Sequence, residues 1–161
     1  MPAVYGSLED ADKLLEAVKT TGKKYMMNET SAFHPDLHAM RQIYAAGGFG
    51  KLVYTEGEYY HYMPAPLESF KNWRVGMPPQ WYPTHSNAYY TCVSGGRFTE
   101  VECMGMPSEI PHMQAKNNPY QNPFGTEVAL LRTSEGGMAR RVVSVDTPRK
   151  AQESGRARGQ R

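Results

Sequence analysis

Trp81-Tyr82-Pro83-Thr84-His85-Ser86 is a polar, titratable cluster placed at the start of a predicted helix. An imidazole that titrates near neutral pH can take up or relay a proton. Tyr82 stands three residues before His85, where its phenol could hydrogen-bond a hydroxyl or its ring could pack under a loop. Tyr60 and His61 adjoin on a predicted strand, so they face opposite sides and at most one of them can line a given pocket. His34 and His38 are four apart on a predicted helix and could in principle share a metal. Without a Glu in an H-E-x-x-H pattern or a third ligand nearby they read as surface histidines, and no metal is assigned. Neither Cys92 nor Cys103 has a neighbour that would activate it, so no nucleophile is assigned.

The elements that must position these groups are readable in outline. Ser7-Leu8-Glu9-Asp10 is a helix start, with a capping hydroxyl followed by acids that favour the positive end of the helix dipole. Leu8, Ala11, Leu14, Leu15 and Val18 follow at helical spacing, and Gly22 closes the helix. The apolar run 24–27 predicts a short buried parallel strand, which with that helix makes the closing unit of an α/β domain. A second helix is predicted over 35–46, ended by Gly47 and Gly48. Residues 52–62 alternate as a strand, with Leu52, Tyr54, Glu56, Glu58 and Tyr60 on one face and Val53, Thr55, Tyr59 and His61 on the other. Glutamates on such a strand suggest that one face looks into a polar cavity or an interface. Residues 63–83 form a long loop whose aromatics Phe70, Trp73, Trp81 and Tyr82 argue for order. A helix over 86–93, a strand over 97–104, a second long loop and a hairpin of 126–133 with 138–145 follow, turning at Ser134-Glu135-Gly136-Gly137.

The chain of 161 residues suffices for one sizeable domain. Its 12 Pro, 15 Gly and 11 Tyr point to many turns and amphipathic surfaces. A net charge of +2 gives no argument for nucleic acid. The basic excess sits in Arg149, Lys150, Arg156, Arg158 and Arg161, within a stretch (147–161) that has no apolar periodicity and reads as a disordered or truncated polar tail. No apolar run is long enough to span a membrane, and the amino terminus lacks a signal pattern. Two cysteines in separate predicted elements make no disulfide framework, which suits a cytoplasmic protein.

Taken in order, these segments resemble the Gfo/Idh/MocA family of nicotinamide-dependent sugar oxidoreductases. Residues 2–11 are similar to the segment that follows the family's Glu-Lys-Pro motif, and 24–29 resembles the last strand of its Rossmann domain. Residues 47–62 resemble the first long strand of its carboxy-terminal sheet domain, and Tyr82-Pro83-Thr84-His85 its active-site histidine segment, in the form also seen in its glycosidase-like relatives. The chain departs from the family in having no Gly-x-Gly-x-x-Gly turn to receive a pyrophosphate. Pro2 aligns with the motif's proline, so Met1 stands where the catalytic lysine belongs. Residues 155–161 resemble a segment that runs on into more sheet. The expectation is a fragment truncated at both ends.

The resemblance implies an α+β chain with three parts. Residues 1–29 would be the last helix–strand unit of a Rossmann domain. Residues 30–146 would form a partial, mostly antiparallel open sheet with helices on one face, for substrate binding or dimerisation. The polar tail would follow. It implies His85 as the base or relay for a sugar hydroxyl, with Tyr82 beside it. Trp73, Arg74 and Tyr60 would bind substrate, Arg74 being otherwise an ordinary surface cation. Asn28 and Glu29, beyond the carboxyl end of the 24–27 strand, would touch the nicotinamide of NAD or NADP. The partners implied are a small carbohydrate, sugar or cyclitol, and a second copy through the sheet, with neither nucleic acid nor membrane. Dehydrogenation, glycosidase-like elimination and a non-catalytic sugar-binding or dimerising module all remain open. Without phosphate loop or lysine, this chain alone is expected neither to bind NAD(P) tightly nor to turn over.

Overall fold

The computed structural model describes residues 7–67, 72–148 and 150–161. Met1, Pro2, Phe70 and Arg149 lie outside them. Helix α1 (Leu8–Thr21) forms by the local rules read from its ends. The Ser7 hydroxyl accepts from the Asp10 amide at 3.1 Å, and Gly22, at φ 64°, bonds back to the Val18 carbonyl. None of its side chains is buried. The strand expected over 24–27 does not form: Tyr25, Met26 and Met27 are exposed in unpaired chain. A lone strand leaves its amides and carbonyls without partners, and none of the described strands lies beside it.

A 3-10 turn (Thr30–Phe33) leads into α2 (Pro35–Ala45), and α3 (Thr84–Ser94) follows the long loop. The five strands are β1 (Leu52–Tyr60), β2 (Phe98–Pro107), β3 (Phe124–Thr133), β4 (Met138–Ser144) and β5 (Gln152–Gly159). They form one open sheet in the order β2-β3-β4-β1-β5. Every neighbouring pair is antiparallel except β1 with β4. Helices α2 and α3 cover one face, so the fold is α+β as expected. Leu37 of α2, Leu52 of β1 and Ala88, Tyr89, Tyr90 and Val93 of α3 make the main core.

Glycines let α3 lie directly on the sheet. A Cβ on Gly57 of β1 would stand 1.9 Å from the Ser86 carbonyl oxygen, and one on Gly155 of β5 would meet the Tyr89 ring at 2.2 Å. This close approach sets the height of the first turn of α3 above the sheet.

Two expectations about the sheet are corrected. The stretch 147–161 is not a frayed tail, because Gln152–Gly159 pairs along the whole of β1. Its small residues Gly155, Ala157 and Gly159 alternate with Ser154, Arg156 and Arg158, a strand pattern without large apolar groups. On β1, a register irregularity between Leu52 and Tyr54 changes the side-chain phase. Leu52 is therefore buried with Thr55, Gly57 and Tyr59, while Tyr54, Glu56, Glu58 and Tyr60 share the other face.

Among the described residues, no helix packs on that other face. Glu58 accepts from Arg140 at 2.5 Å and Glu56 from Arg156 at 3.0 Å. Beside these pairs Met104, Met106, Val128, Leu130 and Met138 are exposed. Among the described residues, no helix is long and apolar enough to cross a membrane.

Candidate active site

The first turn of α3 points a single imidazole into the interior. His85 is 5% exposed, and the ring of Tyr59 from β1 stacks on it at 4.8 Å with an interplanar angle of 18°. Its two nitrogens meet different chemistry. Nε2 lies 3.4 Å from the Tyr82 hydroxyl, the last residue before the proline that opens α3. Nδ1 lies 2.8 Å from Glu29 Oε1, 2.8 Å from Ser31 Oγ and 3.3 Å from Glu153 Oε1.

The groups at Nδ1 come from chain segments far apart in sequence. Glu29 caps the 3-10 turn, its Oε1 accepting the Ser31 amide at 2.9 Å. The Ser31 hydroxyl donates to Glu153 Oε2 of β5 at 2.5 Å. His34, half exposed, stands 3.7 Å from the same oxygen. Burial alone would raise the Glu29 carboxyl. The hydrogen bonds from His85 and the Ser31 amide, with the Thr84 hydroxyl close by, outweigh it and hold the group down at about 2. Thr84 acts here by proximity, since neither its Oγ1 nor Glu29 Oε2 meets hydrogen-bond geometry. Glu29 is thus an ionised acceptor at any ordinary pH.

On the Nε2 side the groups are aromatic and cationic. The Arg74 guanidinium sits over the Tyr82 ring, 4.5 Å from its centroid. The Tyr59 hydroxyl and His61 Nδ1 are 2.8 Å apart. Burial, then the positive charge of Arg74 and the neighbouring His85 ring, pushes His61 below its ordinary value. Burial also raises the Tyr59 phenol, which stays protonated. A small apolar cavity of about 20 Å³ opens beyond Tyr82 and Arg74, against Met63, Met77 and Met113. A wider cleft of about 420 Å³ lies between the start of α3 and strands β2 and β3. Neither is lined by His85.

The structure therefore brings together His85, Tyr82, Arg74 and Glu29 from the expected set. It does not bring Tyr60, which lies on the helix-free face of the sheet; His61 is the member of that pair on the site side, with Tyr59. Glu29 is against His85, and Asn28 beside it is exposed. Trp73 is 39% exposed, and its carbonyl accepts from the Tyr120 hydroxyl. Sequence reasoning missed Tyr59, Ser31 and Glu153. The signals available were the strand alternation that pairs Tyr59 with His61 and the small–polar alternation of 152–159.

The chain is an α+β domain, a helix-backed open sheet holding a buried carboxylate–imidazole–phenol array. Solved structures of that architecture exist, although no family model matches the sequence and no curated protein does either. A protein from Sinorhizobium meliloti assigned as a myo-inositol dehydrogenase superposes with TM-score 0.76 at 15% identity, over 95% of this chain and 44% of its own. The scyllo-inositol dehydrogenase from Lactobacillus casei, solved with NAD(H) and scyllo-inositol, gives 0.69 at 12% identity, over 96% and 45%. An inositol dehydrogenase homolog from Azotobacter vinelandii, complexed with NADH and myo-inositol, gives 0.68 at 19%, over 96% and 40%. The chain has the fold of the carboxy-terminal domain of oxidoreductases of the Gfo/Idh/MocA type. It spans less than half the length of the structures it matches.

Proposed function

We propose that this chain is the substrate-side domain of an NAD(P)-dependent oxidoreductase acting on a cyclitol or related polyol, with His85 as the base or relay for the substrate hydroxyl proton. The observation that carries the reading is the single buried imidazole at the head of α3, with a phenol at Nε2 and carboxylates at Nδ1. The inositol and NAD(H) held by two of the matched structures support the substrate class.

On this reading, no dinucleotide cradle is assigned to the described residues. The sequence has no glycine-rich phosphate turn, and Glu29, one of two expected contacts, is engaged by His85. NAD(P), whose chemistry when bound is to accept hydride, is accordingly assigned to the whole protein and not to these residues. What the chain supplies is orientation and proton handling. Tyr59 stacks on His85 and limits its access to water, Tyr82 faces Nε2, and Arg74 gives this side a positive field that favours an oxygen losing its proton. The two unpaired thiols, Cys92 and Cys103, support a reducing, cytoplasmic setting.

A second role is favoured by the helix-free face. Its exposed Met104, Met106, Val128, Leu130 and Met138 lie beside alternating acidic and basic rows, which suits pairing with a second copy. The test of the main reading is an NMR titration of the isotope-labelled chain with myo-inositol and scyllo-inositol, with and without NAD. The expected result is shifts centred on Tyr59, Tyr82 and His85. Shifts confined to other surfaces, or none up to the polyol's solubility, would remove the reading.

A further inference from the structure

Three oxygens crowd one nitrogen of His85, and their own bonding fixes where the proton must be. Glu29 Oε1 and Ser31 Oγ are each 2.8 Å from Nδ1, and Glu153 Oε1 is 3.3 Å away. An ionised carboxylate only accepts. The Ser31 hydroxyl directs its proton to Glu153 Oε2 and so offers Nδ1 a lone pair. Nothing at Nδ1 can donate to it, so Nδ1 itself carries the hydrogen. That holds for neutral and charged imidazole alike, and only Nε2 is left to gain or lose a proton.

We propose that Glu29 and Glu153, tied together by Ser31, are positioning residues that lock His85 in its Nδ1–H form and reserve Nε2 for proton exchange on the Tyr82 side. The proposal rests on the reading of His85 as the proton-handling group and names what sets its direction. In the step assigned to it, a substrate O–H bond breaks as an Nε2–H bond forms. The resulting imidazolium keeps its Nδ1–H toward the carboxylates, which lie close enough to balance the new charge. Neither carboxylate is protonated in the step. This role replaces the expected contact of Glu29 with a nicotinamide.

The groups around the ring are consistent with a directional device. Among the described residues, the carboxylates near it are at Nδ1; the Nε2 side has the Tyr82 hydroxyl at 3.4 Å, with Arg74 over the Tyr82 ring. The Tyr59 ring fills one face, so the imidazole cannot turn over without displacing it. A flipped ring would put the Cδ2 carbon where Nδ1 stands, so the carboxylates would lose their N–H donor.

The test is long-range ¹H–¹⁵N correlation NMR of the labelled 161-residue chain, which reads the histidine tautomers directly. In wild type the neutral form of His85 is expected to carry its proton on Nδ1. Glu29→Gln and Glu153→Gln keep size and remove the charge. Each is expected to lower the Nδ1–H to Nε2–H ratio about tenfold, which corresponds to about 1.4 kcal/mol, and the double variant to abolish the preference. Ser31→Ala removes one oxygen only and is expected to weaken the preference less; it keeps the test decisive if a Gln variant fails to fold. An Nε2–H tautomer in wild type, or ratios unmoved by the folded variants, would overturn the proposal. Polyol titration separates this from the functional reading. A locked Nδ1–H form without polyol-induced shifts sinks the function and leaves the positioning intact, while polyol shifts with an Nε2–H form do the reverse.

Discussion

Removing the charge at Glu29 should expose how much of the fold's pH dependence one carboxylate carries. Its folded-state value is held at about 2 against an ordinary 4.5. A carboxylate lowered on folding contributes stability that is fully present above about 4.5 and is lost as pH falls toward 2. The difference of about 2.5 units corresponds to about 3 kcal/mol at most. Glu29 is 9% exposed, so solvent screening takes little from that figure; the cost of burying the charge is already included in the shift. The assay is urea unfolding of wild type and Glu29→Gln at a series of pH values from 7 to 2. The variant should be less stable by roughly 2–3 kcal/mol at pH 7, and the two curves should converge as pH falls. Glu56 is also lowered but lies on the other face of the sheet and steepens both curves alike, so the difference reads Glu29 together with the His85 it contacts. Curves that stay parallel over the whole range would refute the reasoning, because the gap would then owe nothing to ionisation.

Three further outcomes are expected. Gly57→Ala should destabilise by about 3 kcal/mol or more in thermal unfolding, since its Cβ would sit 1.9 Å from the Ser86 carbonyl oxygen; a change under about 0.5 kcal/mol would show that α3 does not bear on β1 there. Arg141 is fully buried, pushed down to about 10 by burial, with Nε unpartnered and its guanidinium over the Phe98 ring. Arg141→Met should therefore be near neutral or stabilising by about 1–3 kcal/mol, while Arg141→Ala should cost about 3 kcal/mol through the cavity it leaves; the comparison is made by chemical denaturation. If the helix-free face pairs with a second copy, Leu130→Asp should shift light-scattering mass toward the monomer without lowering the unfolding midpoint of the monomer itself.

Much of the local structure was legible from local rules. Ser7 and Gly22 bound α1 because capping and a left-handed C-terminus depend on neighbours within one turn. The hairpin of β3 and β4 turns where its Gly136-Gly137 pair stands. His85 and Tyr82 meet because they are three residues apart around a helix start. The strand expected over 24–27 shows the limit of such rules. Its apolar run satisfies the pattern, but a strand exists only where another strand bonds to it.

Residue type and spacing, then, determined by themselves the helices and the hairpin, since each rests on contacts within a few residues. Tertiary structure alone decided what that imidazole can do. Ser31 reaches His85 across 54 residues and Glu153 across 122, and no short-range pattern encodes a partner so remote. Glu153 was hidden further because β5 carries small and charged residues, whose burial comes from the pressing of α3 onto Gly155 rather than from their own hydrophobicity. The sheet's register places that carboxylate opposite Tyr59. Only the folded chain therefore brings these remote partners to the buried histidine.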